Sequence, residues 1–527
     1  MNTHLEHFLG TVNASVRAKK EEKIDAEVIK VSETVSVAAT AYETVRNSLE
    51  YDEEHLLRRN AIRRILKRRL GDGLSKTLGG DLLRELIWAR YLPNEEVPES
   101  MEQTVSDILE KYFVLFDQIE QGAKDDQDQY NWLLDLVSTE IEYTLIPPVV
   151  DEALASYAYQ ELQAHLKWSS KLIPEKDRDL QLYIAVHRTV LKSNIATLRF
   201  RILTLYYPEW TKAKASNPVV QEIAGDLDTV IESVHAQLVH QGADSMYRLI
   251  RKHAIVFHVL RDIMVDDPDA FFSALEVQDT DLLAKAITKA TEARYDRFGA
   301  RLRRAVVRAV FFLFLTKMFL AIVIELPYEQ LILHETNYAP LFTNIIFHPL
   351  LLAVIGMTVR IPKKRNTAKI IQEIEALLGL GGDFSVVYKV KRPWSSGAIR
   401  NVFNALYALM FLVVIGLIST GLAIINFNVL SIFFFIFFLS LVTFFGLKIR
   451  NTKRELVIVE SKANVIGTLV DIVFLPIIRA GRWMSLRAPR INIFLFFFDF
   501  IIEAPFKAAI KMIEGWLAFL REKKEEI

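Results

Sequence analysis

The stretch Val306–Leu326, VVRAVFFLFLTKMFLAIVIEL, decides the fold of this chain. It contains about 20 mostly apolar residues, the length that an α-helix needs to cross the roughly 30 Å of hydrocarbon in a bilayer. Stretches of similar character follow at Leu341–Val359, Val402–Ile425 and Val429–Leu447. A buried core helix is the alternative for any one of them, but four in succession favour membrane spans. The sequence therefore predicts a multi-pass membrane protein with spans at 306–326, 341–359, 402–425 and 429–447.

Positive charge in the connections predicts how these spans are oriented. Lys and Arg residues lie before the first span, in the loop 360–401 and after the fourth span, whereas the connections 327–340 and 426–428 contain none. Because short loops rich in Lys and Arg stay on the cytoplasmic side, this alternation places both termini in the cytoplasm. The N-terminus lacks the apolar core of a cleaved signal peptide. A bacterial cytoplasmic membrane is the default expectation.

The first 300 residues differ from the rest in charge and in periodicity. They contain 36 Lys and Arg against 49 Asp and Glu, whereas residues 301–527 contain 28 against 15. Apolar residues recur at helical spacing, and prolines separate about eight to ten helices. This pattern predicts an all-α, elongated cytosolic bundle over 1–300. No proline interrupts Thr280–Leu326, so one continuous helix is expected to join the bundle to the polytopic membrane domain, 301–447.

The C-terminal region, 448–527, contains two apolar stretches that are short for a span. They are Val465–Ile478 and Ile491–Ile502, and the connector between them is rich in arginine. Segments of this length more often lie in the interface or re-enter the bilayer, although a tight pair of spans is the alternative. Phe506–Leu520 then has the spacing of an amphipathic tail helix.

The loop 360–401 is expected to fold on its own. Asn366–Leu378 has the pattern of a short amphipathic helix, closed by Gly379. Phe384–Val390 is the best strand candidate of the chain, and Leu456–Val459 is its expected partner. Because an isolated strand needs a neighbour, the sequence predicts a small two-stranded ribbon.

Ionisable residues inside the apolar segments are candidate functional residues. Lys317 lies near the centre of the first span, where an ammonium group is costly unless it meets a partner or water. The embedded acids expected to pair with it are Asp471, Asp499 and Glu503. Glu325, at the outer end of the same span, is expected to need no partner. Structural pairing of Lys317 is the leading interpretation, and an ion or proton pathway is the alternative.

A histidine lies in the second span. His348 precedes Pro349, and Asn344 lies one turn earlier. Proline inside a helix removes a hydrogen bond, so a kink is expected here. A pore role for His348 is the alternative interpretation.

Basic residues form a second group of candidates. A dense basic run over 58–69 has the spacing of an amphipathic helix, and it could face a membrane surface, bind nucleic acid or pair with acids on a solvated face. The acidic character of the rest of the first half argues against nucleic acid. The candidate contacts with anionic lipid headgroups are Arg63, Arg64, Lys67, Arg68, Lys363, Lys364, Arg365, Arg479 and Arg482.

The composition also excludes several chemistries. With no cysteine, the chain has no disulfide, no cysteine-ligated zinc or iron–sulfur site and no thiolate nucleophile. The acidic clusters Asp125-Asp126 and Asp266-Asp267 are incomplete as metal-binding motifs and are better suited to helix N-termini. No nucleotide-binding or hydrolase motif occurs. The sequence therefore predicts no catalytic residue, no cofactor and no metal.

The leading functional prediction is a membrane protein without catalysis. Its cytosolic helical domain would act as a scaffold at the bilayer, binding a protein partner or forming a homo-oligomer through 1–300. An ion channel or transporter, regulated through the continuous helix, is the first alternative. A membrane-embedded enzyme acting on lipid is the second, and it lacks a convergent set of His, Asp and Glu.

Overall fold

In its computed structural model the described part of the chain is all-α, with about 81% of residues in helices and almost no strand. The structure describes residues 3–21, 27–31, 54–71, 77–121, 126–266, 271, 273–275, 277, 279–334, 337–362, 364–389, 397–458, 475 and 477–483. The predicted segment Ile491–Ile502 and the predicted tail Phe506–Leu520 lie outside these residues. So does most of Val465–Ile478.

The helices make up most of the described residues. In chain order they are α1 (Thr3–Glu21), α2 (Glu54–Gly71), α3 (Leu78–Trp88), α4 (Ser100–Gln121), α5 (Asp126–Leu145), α6 (Val149–His165), α7 (Arg178–Thr189), α8 (Ile195–Tyr206), α9 (Pro218–Gly225), α10 (Leu227–Leu238), α11 (Ala243–Asp266), α12 (Thr280–Leu320), α13 (Tyr338–Met357), α14 (Lys364–Leu377), α15 (Gly397–Ile424) and α16 (Val429–Thr452). Short 3₁₀ turns occur at Glu175–Asp177, Trp210–Lys212 and Lys453–Glu455. The strands β1 (Leu166–Trp168) and β2 (Val386–Tyr388) are three residues each.

The described residues fall into two compact units. The apolar unit takes in His165–Ser170 and the residues from Arg248 onward. The helical module takes in the remaining described residues up to Tyr247. Residues 248–300, which the sequence analysis grouped with the first half, thus cluster with the apolar helices.

The helical module is held together by apolar faces at helical spacing. Ile62 and Leu66 on α2, and Leu133 and Val137 on α5, are buried in one hydrophobic core. Residues four apart lie on the same face of a helix, so each pair presents one apolar stripe to its neighbours. Local signals agree with this packing: Asn217 caps α9 by accepting a hydrogen bond of 3.0 Å from the N–H of Val219.

The apolar unit contains four helices that are long and apolar enough to cross a membrane. These are Thr280–Leu333, Tyr338–Met357, Asn404–Ile424 and Val429–Glu455, which confirms the four apolar segments expected from sequence. The orientation of these helices across a bilayer stays a prediction. α12 itself is continuous over 41 residues, about 60 Å at 1.5 Å per residue.

Two glycines permit close packing among the apolar helices. A Cβ atom on Gly356 of α13 would lie 2.5 Å from Val306 of α12, and one on Gly446 of α16 would lie 2.8 Å from Ile355 of α13. Small residues let helix backbones approach in this way, as in many membrane bundles. α13 therefore packs against both α12 and α16. By contrast, only 6% of the apolar window of α15 is buried, so this helix presents most of its surface outward.

The short segment Ile477–Trp483 packs against α15 and α16. Ile477 is buried in a cluster with Leu422 and Leu439, and the carbonyl of Leu475 accepts a hydrogen bond of 3.3 Å from Tyr407. Leu422 and Leu439, which contact Ile477, lie within α15 and α16 and not in the connections beside these helices. This arrangement favours a segment packed within the bundle.

The predicted strand pairing is wrong. β2 pairs in parallel with β1, with Leu166 opposite Val386 and Trp168 opposite Tyr388. Of the expected partner, 456–459, the structure describes 456–458, and an asparagine binds this part instead: Asn366 donates a hydrogen bond of 2.7 Å to the carbonyl of Leu456. The nearby amphipathic helix is confirmed, as α14, and Gly379 follows it with a positive φ of 73°.

Candidate functional site

A group of polar side chains is buried among the apolar helices α12, α13 and α16. We call it the polar cluster, and its side chains are Lys317, Glu325, Glu329, Asn344, His348, the half-buried Asn428 and Ser431. The side chains of Lys317, Glu325, Asn344, His348 and Ser431 are at most 1% exposed. Since burial of polar groups in apolar surroundings is costly without hydrogen bonds, each contact of the cluster bears on stability.

Asn344 bridges the two ionisable groups of the cluster. The Nζ of Lys317 donates a hydrogen bond of 2.6 Å to Oδ1 of Asn344. The Nδ2 of Asn344 donates to both carboxylate oxygens of Glu325, at 2.9 and 2.8 Å. The Nζ of Lys317 also lies 4.3 Å from the centre of the Phe438 ring, a cation–π contact that links α12 to α16.

Glu325 lies at a place in the chain where the helical geometry changes. After α12 the chain continues as π-helical turns at Ala321–Glu325 and Glu329–Leu333, separated by one α-helical turn. Pro327 has no N–H and its ring clashes with the carbonyl four residues earlier, so an ordinary α-helical hydrogen bond cannot form there. Wider turns accommodate such a break and are frequent at functional sites. They form the end of the first apolar helix, where Glu325 and Glu329 lie.

Glu325 does have partners, contrary to the expectation from sequence. Besides the amide of Asn344, its Oε2 accepts a hydrogen bond of 3.2 Å from Ser431 at the start of α16. Glu325 is only 1% exposed, because α13 and α16 pack over the end of the first apolar helix. The position of a residue along a span does not tell which neighbouring helix covers it.

Glu329 joins the cluster to the residues that directly precede α13 and α16. Its Oε1 accepts a hydrogen bond of 2.7 Å from Asn428, and its Oε2 accepts one of 3.1 Å from the backbone N–H of Asn337. Asn428 also caps α16, since its Oδ1 accepts a hydrogen bond of 2.8 Å from the N–H of Ser431. One carboxylate thus fixes the starts of two helices.

His348 connects α13 to α16 through backbone carbonyls. Its Nε2 lies 2.9 Å from the carbonyl oxygen of Phe435, and its Nδ1 lies 3.2 Å from that of Asn344. Both contacts are to carbonyl oxygens, which only accept, so a neutral imidazole donates its one N–H proton to one of the two. The ring also packs 4.7 Å from the ring of Phe435. These contacts describe a bridge between helices.

The structure does not place the acids expected to pair with Lys317. Asp471, Asp499 and Glu503 lie outside the described residues. Among the described residues, Lys317 pairs with Asn344 instead. Sequence reasoning missed Asn344, Glu325, Glu329, Asn428 and Ser431 as members of the site. One signal was available, since Asn344 and His348 are four residues apart and therefore share a helix face.

Several of the candidate headgroup contacts on α2 are engaged by acids of the helical module. Arg63 donates a hydrogen bond of 2.8 Å to Asp135, and Arg68 lies 2.6 Å from Glu85. Arg64 is partly buried, and Lys67 is exposed. These contacts favour the paired, solvated face among the interpretations of this helix, while headgroup binding stays a prediction.

The other basic candidates lie in the apolar unit. Lys364 and Arg365 are exposed at the start of α14, and Lys363 lies outside the described residues. The guanidinium of Arg479 lies 4.6 Å from the centre of the Tyr407 ring on α15. Arg482, one turn further, is exposed.

A second buried polar network lies in the helical module. Lys111 on α4 pairs with Glu140 on α5, and Glu140 also accepts hydrogen bonds from Tyr112 at 2.8 Å and from the indole of Trp210 at 2.9 Å. Burial raises the pKa of Glu140 and lowers the pKa of Lys111, while the attraction between the two charges opposes both shifts. Both carboxylate oxygens and the ammonium have partners, which is typical of a structural core network.

Comparison with known proteins assigns this chain to no family. Within the part of the chain that the structure describes, no group of three or more His, Asp or Glu is arranged to hold a metal ion. Comparison of the chain with models of known families, with curated proteins and with solved structures found no match.

Proposed function

We propose that this chain is a multi-pass membrane protein that acts as a rigid platform for its helical module, which binds a protein partner or a second copy. The observation that carries the proposal is the polar cluster, because it ties the first, second and fourth apolar helices into one arrangement. Alternating access or gating would require that arrangement to break. Catalysis is not part of the proposal.

The surface of the apolar helices supports a lipid environment. Phe311, Leu412 and Ile424 are 63%, 66% and 77% exposed. Contiguous apolar surface on this scale is unusual for a protein in water and marks a membrane or a partner interface. Four such helices in one unit favour the bilayer.

The proposed topology places both termini in the cytoplasm and the connection after α12 on the opposite side. The chain has no cysteine, so each single-cysteine variant carries one thiol. His334 and Thr358 are both exposed and lie at opposite ends of α13. A membrane-impermeant maleimide should label His334→Cys in intact cells, and Thr358→Cys only after permeabilisation. The reverse pattern, or labelling of both in intact cells, contradicts the topology.

The platform role requires a partner for the module. The module exposes large apolar side chains at Ile195 and Val239, which are 60% and 63% exposed and are candidates for contact with another protein. Mass photometry of the full chain in detergent, and pull-down from its own cells, test this role. A partnerless monomer in both experiments counts against the proposal.

A second candidate, an ion or proton pathway, is favoured by one observation. Two carboxyl groups and one amine, Glu325, Glu329 and Lys317, lie in the same cluster beside π-helical turns. Liposomes loaded with a pH-sensitive dye test this candidate with Lys317→Leu, and with Thr316→Val as the matched neighbour. If the chain gives no flux, or if flux is equal in both variants, Lys317 has no role in a pathway.

A further inference from the structure

A groove runs along the outside of α12 and α13, apart from the polar cluster. Its volume is about 740 Å³, within the roughly 300–1,000 Å³ typical of sites for small ligands. On α12 it extends from Gly299 to Phe314, about 20 Å along the helix axis. On the other side it follows α13 from Pro349 to Met357 and ends at Ile361.

The lining of the groove is apolar except at one end. Val306, Val310 and Phe314 line it on α12, and Ala353 lines it on α13. Among the described residues that line it, Arg303 alone is charged, and it lies at the end where α12 leaves the predicted first span. The groove therefore changes from basic to apolar along its length.

Further basic residues lie at the ends of the apolar helices that carry the same predicted orientation as Arg303. Arg304 follows it on α12, and Arg360 follows α13; both are exposed. Arg360, Arg450 and Arg454 all lie close enough to Lys453 to act on its charge. The ends of three apolar helices thus carry positive charge on the side that the loop charges assign to the cytoplasm.

We propose that this groove binds one anionic phospholipid, with its phosphate at Arg303 and one acyl chain along Val306–Phe314. The inference rests on the proposed membrane location. Along the groove, the basic Arg303 is followed by apolar residues. In a phospholipid that lies parallel to a span, the phosphate is likewise followed by the acyl chains. The surrounding basic residues supply the charge complementarity that selects an anionic headgroup over a zwitterionic one.

The test uses the full chain reconstituted into vesicles of phosphatidylcholine and phosphatidylglycerol, extracted in mild detergent and examined by native mass spectrometry. The wild type should retain one phosphatidylglycerol and little phosphatidylcholine. Arg303→Gln should lower its occupancy about fivefold, the effect of one basic residue at an anionic surface. Lys285→Gln is the matched control, because it removes one positive charge from an exposed position on the same helix, about five turns before Arg303 and outside the groove. Equal losses in the two variants, or equal retention of both lipids, overturn the proposal.

A second pair of variants tests the apolar part. Ala353→Trp fills the groove, whereas Leu412→Trp adds the same side chain to the exposed surface of α15. The first should abolish retention and the second should leave it unchanged; retention in both overturns the proposal. Failure of the chain to enter vesicles at all contradicts the membrane location, whereas entry without selective retention contradicts the lipid site alone.

Discussion

The ammonium group of Lys317 donates a hydrogen bond of 2.6 Å to the side-chain oxygen of Asn344 on the following apolar helix. The same amide donates to Glu325 from its nitrogen. A carboxamide accepts at one end and donates at the other, so it can join an amine to a carboxylate. Leu at position 344 can do neither, and an ionised Asp can only accept. Asn344 is therefore the central residue of the polar cluster.

Replacement of Asn344 by Leu should destabilise the chain by about 3 kcal/mol or more. The change leaves an ammonium and a carboxylate buried without their shared partner, and breaking a buried charged network costs about this much. Thermal unfolding in detergent, followed by near-ultraviolet circular dichroism, measures the effect. Thr343→Val is the matched control, because Thr343 is exposed and bonds only to the carbonyl of Ala339 among its described contacts. Equal melting temperatures for the two variants would contradict the role of Asn344.

The charges of Lys317 and Glu325 should be coupled through that amide. Lys317→Met removes the ammonium that Asn344 joins to Glu325, and Glu325→Gln removes the carboxylate that Asn344 joins to Lys317, whereas the double variant removes both charges of this pair. The double variant should therefore lose less stability than the two single losses together, with a coupling of about 1–3 kcal/mol. Thermal unfolding of the four proteins in one detergent gives this value. If the loss of stability in the double variant equals the sum of the two single losses, the charges of Lys317 and Glu325 do not interact.

The cost of burying Lys317 could be predicted from sequence, but its partner could not. The position of an ammonium group within an apolar stretch is visible in the sequence, and so is the need for a partner. Which residue meets it depends on how α12, α13 and α16 rotate about their axes. The π-helical turns after Leu320 change that rotation for Glu325, because they widen the helix and shift the face on which later residues lie.

His187 should make the helical module less stable in mild acid. Burial lowers the pKa of His187 to about 4, against about 6.5 for an unfolded histidine. Between these values the unfolded chain binds a proton that the folded chain does not, so stability is full above about pH 6.5 and falls as the pH drops toward 4. Between pH 7.5 and pH 5 the loss should be about 2 kcal/mol at 1.36 kcal/mol per pKa unit.

The substitution His187→Phe tests this assignment. The ring of His187 packs 4.2 Å from the ring of Tyr183, and its Nδ1 has no hydrogen-bond partner in the described part of the chain, so an aromatic hydrocarbon fits the site. The variant should melt at more similar temperatures at pH 7.5 and pH 5 than the wild type does. His235→Phe, at an exposed position on α10, should keep the wild-type pH dependence. If His187→Phe keeps the wild-type pH dependence of the melting temperature, His187 is not the group responsible for it.

The four apolar helices were predictable because length and composition decide them, whereas the strand pairing was not. β1 and β2 are three residues each and lie 220 positions apart, so neither has a periodic pattern long enough to identify it. Phe384–Val390 was recognised from its β-branched residues, which favour an extended chain. Its partner Leu166–Trp168 carries the mixed sequence LKW at the end of a helix, which gives no strand signal.

Asn366 should hold the chain after α16 in place. Its Nδ2 donates hydrogen bonds to the hydroxyl of Tyr295 at 2.8 Å and to the carbonyl of Leu456 at 2.7 Å, and its Oδ1 accepts one of 2.9 Å from the N–H of Ile458. Asn366→Ala removes all three contacts, so amide hydrogen exchange at 456–458 should become about ten-fold faster or more, since each lost hydrogen bond is worth about 1 kcal/mol. Lys369→Ala, at an exposed position one turn further along α14, is the matched control and should leave exchange unchanged. If both variants exchange like the wild type at 456–458, backbone packing alone holds this segment.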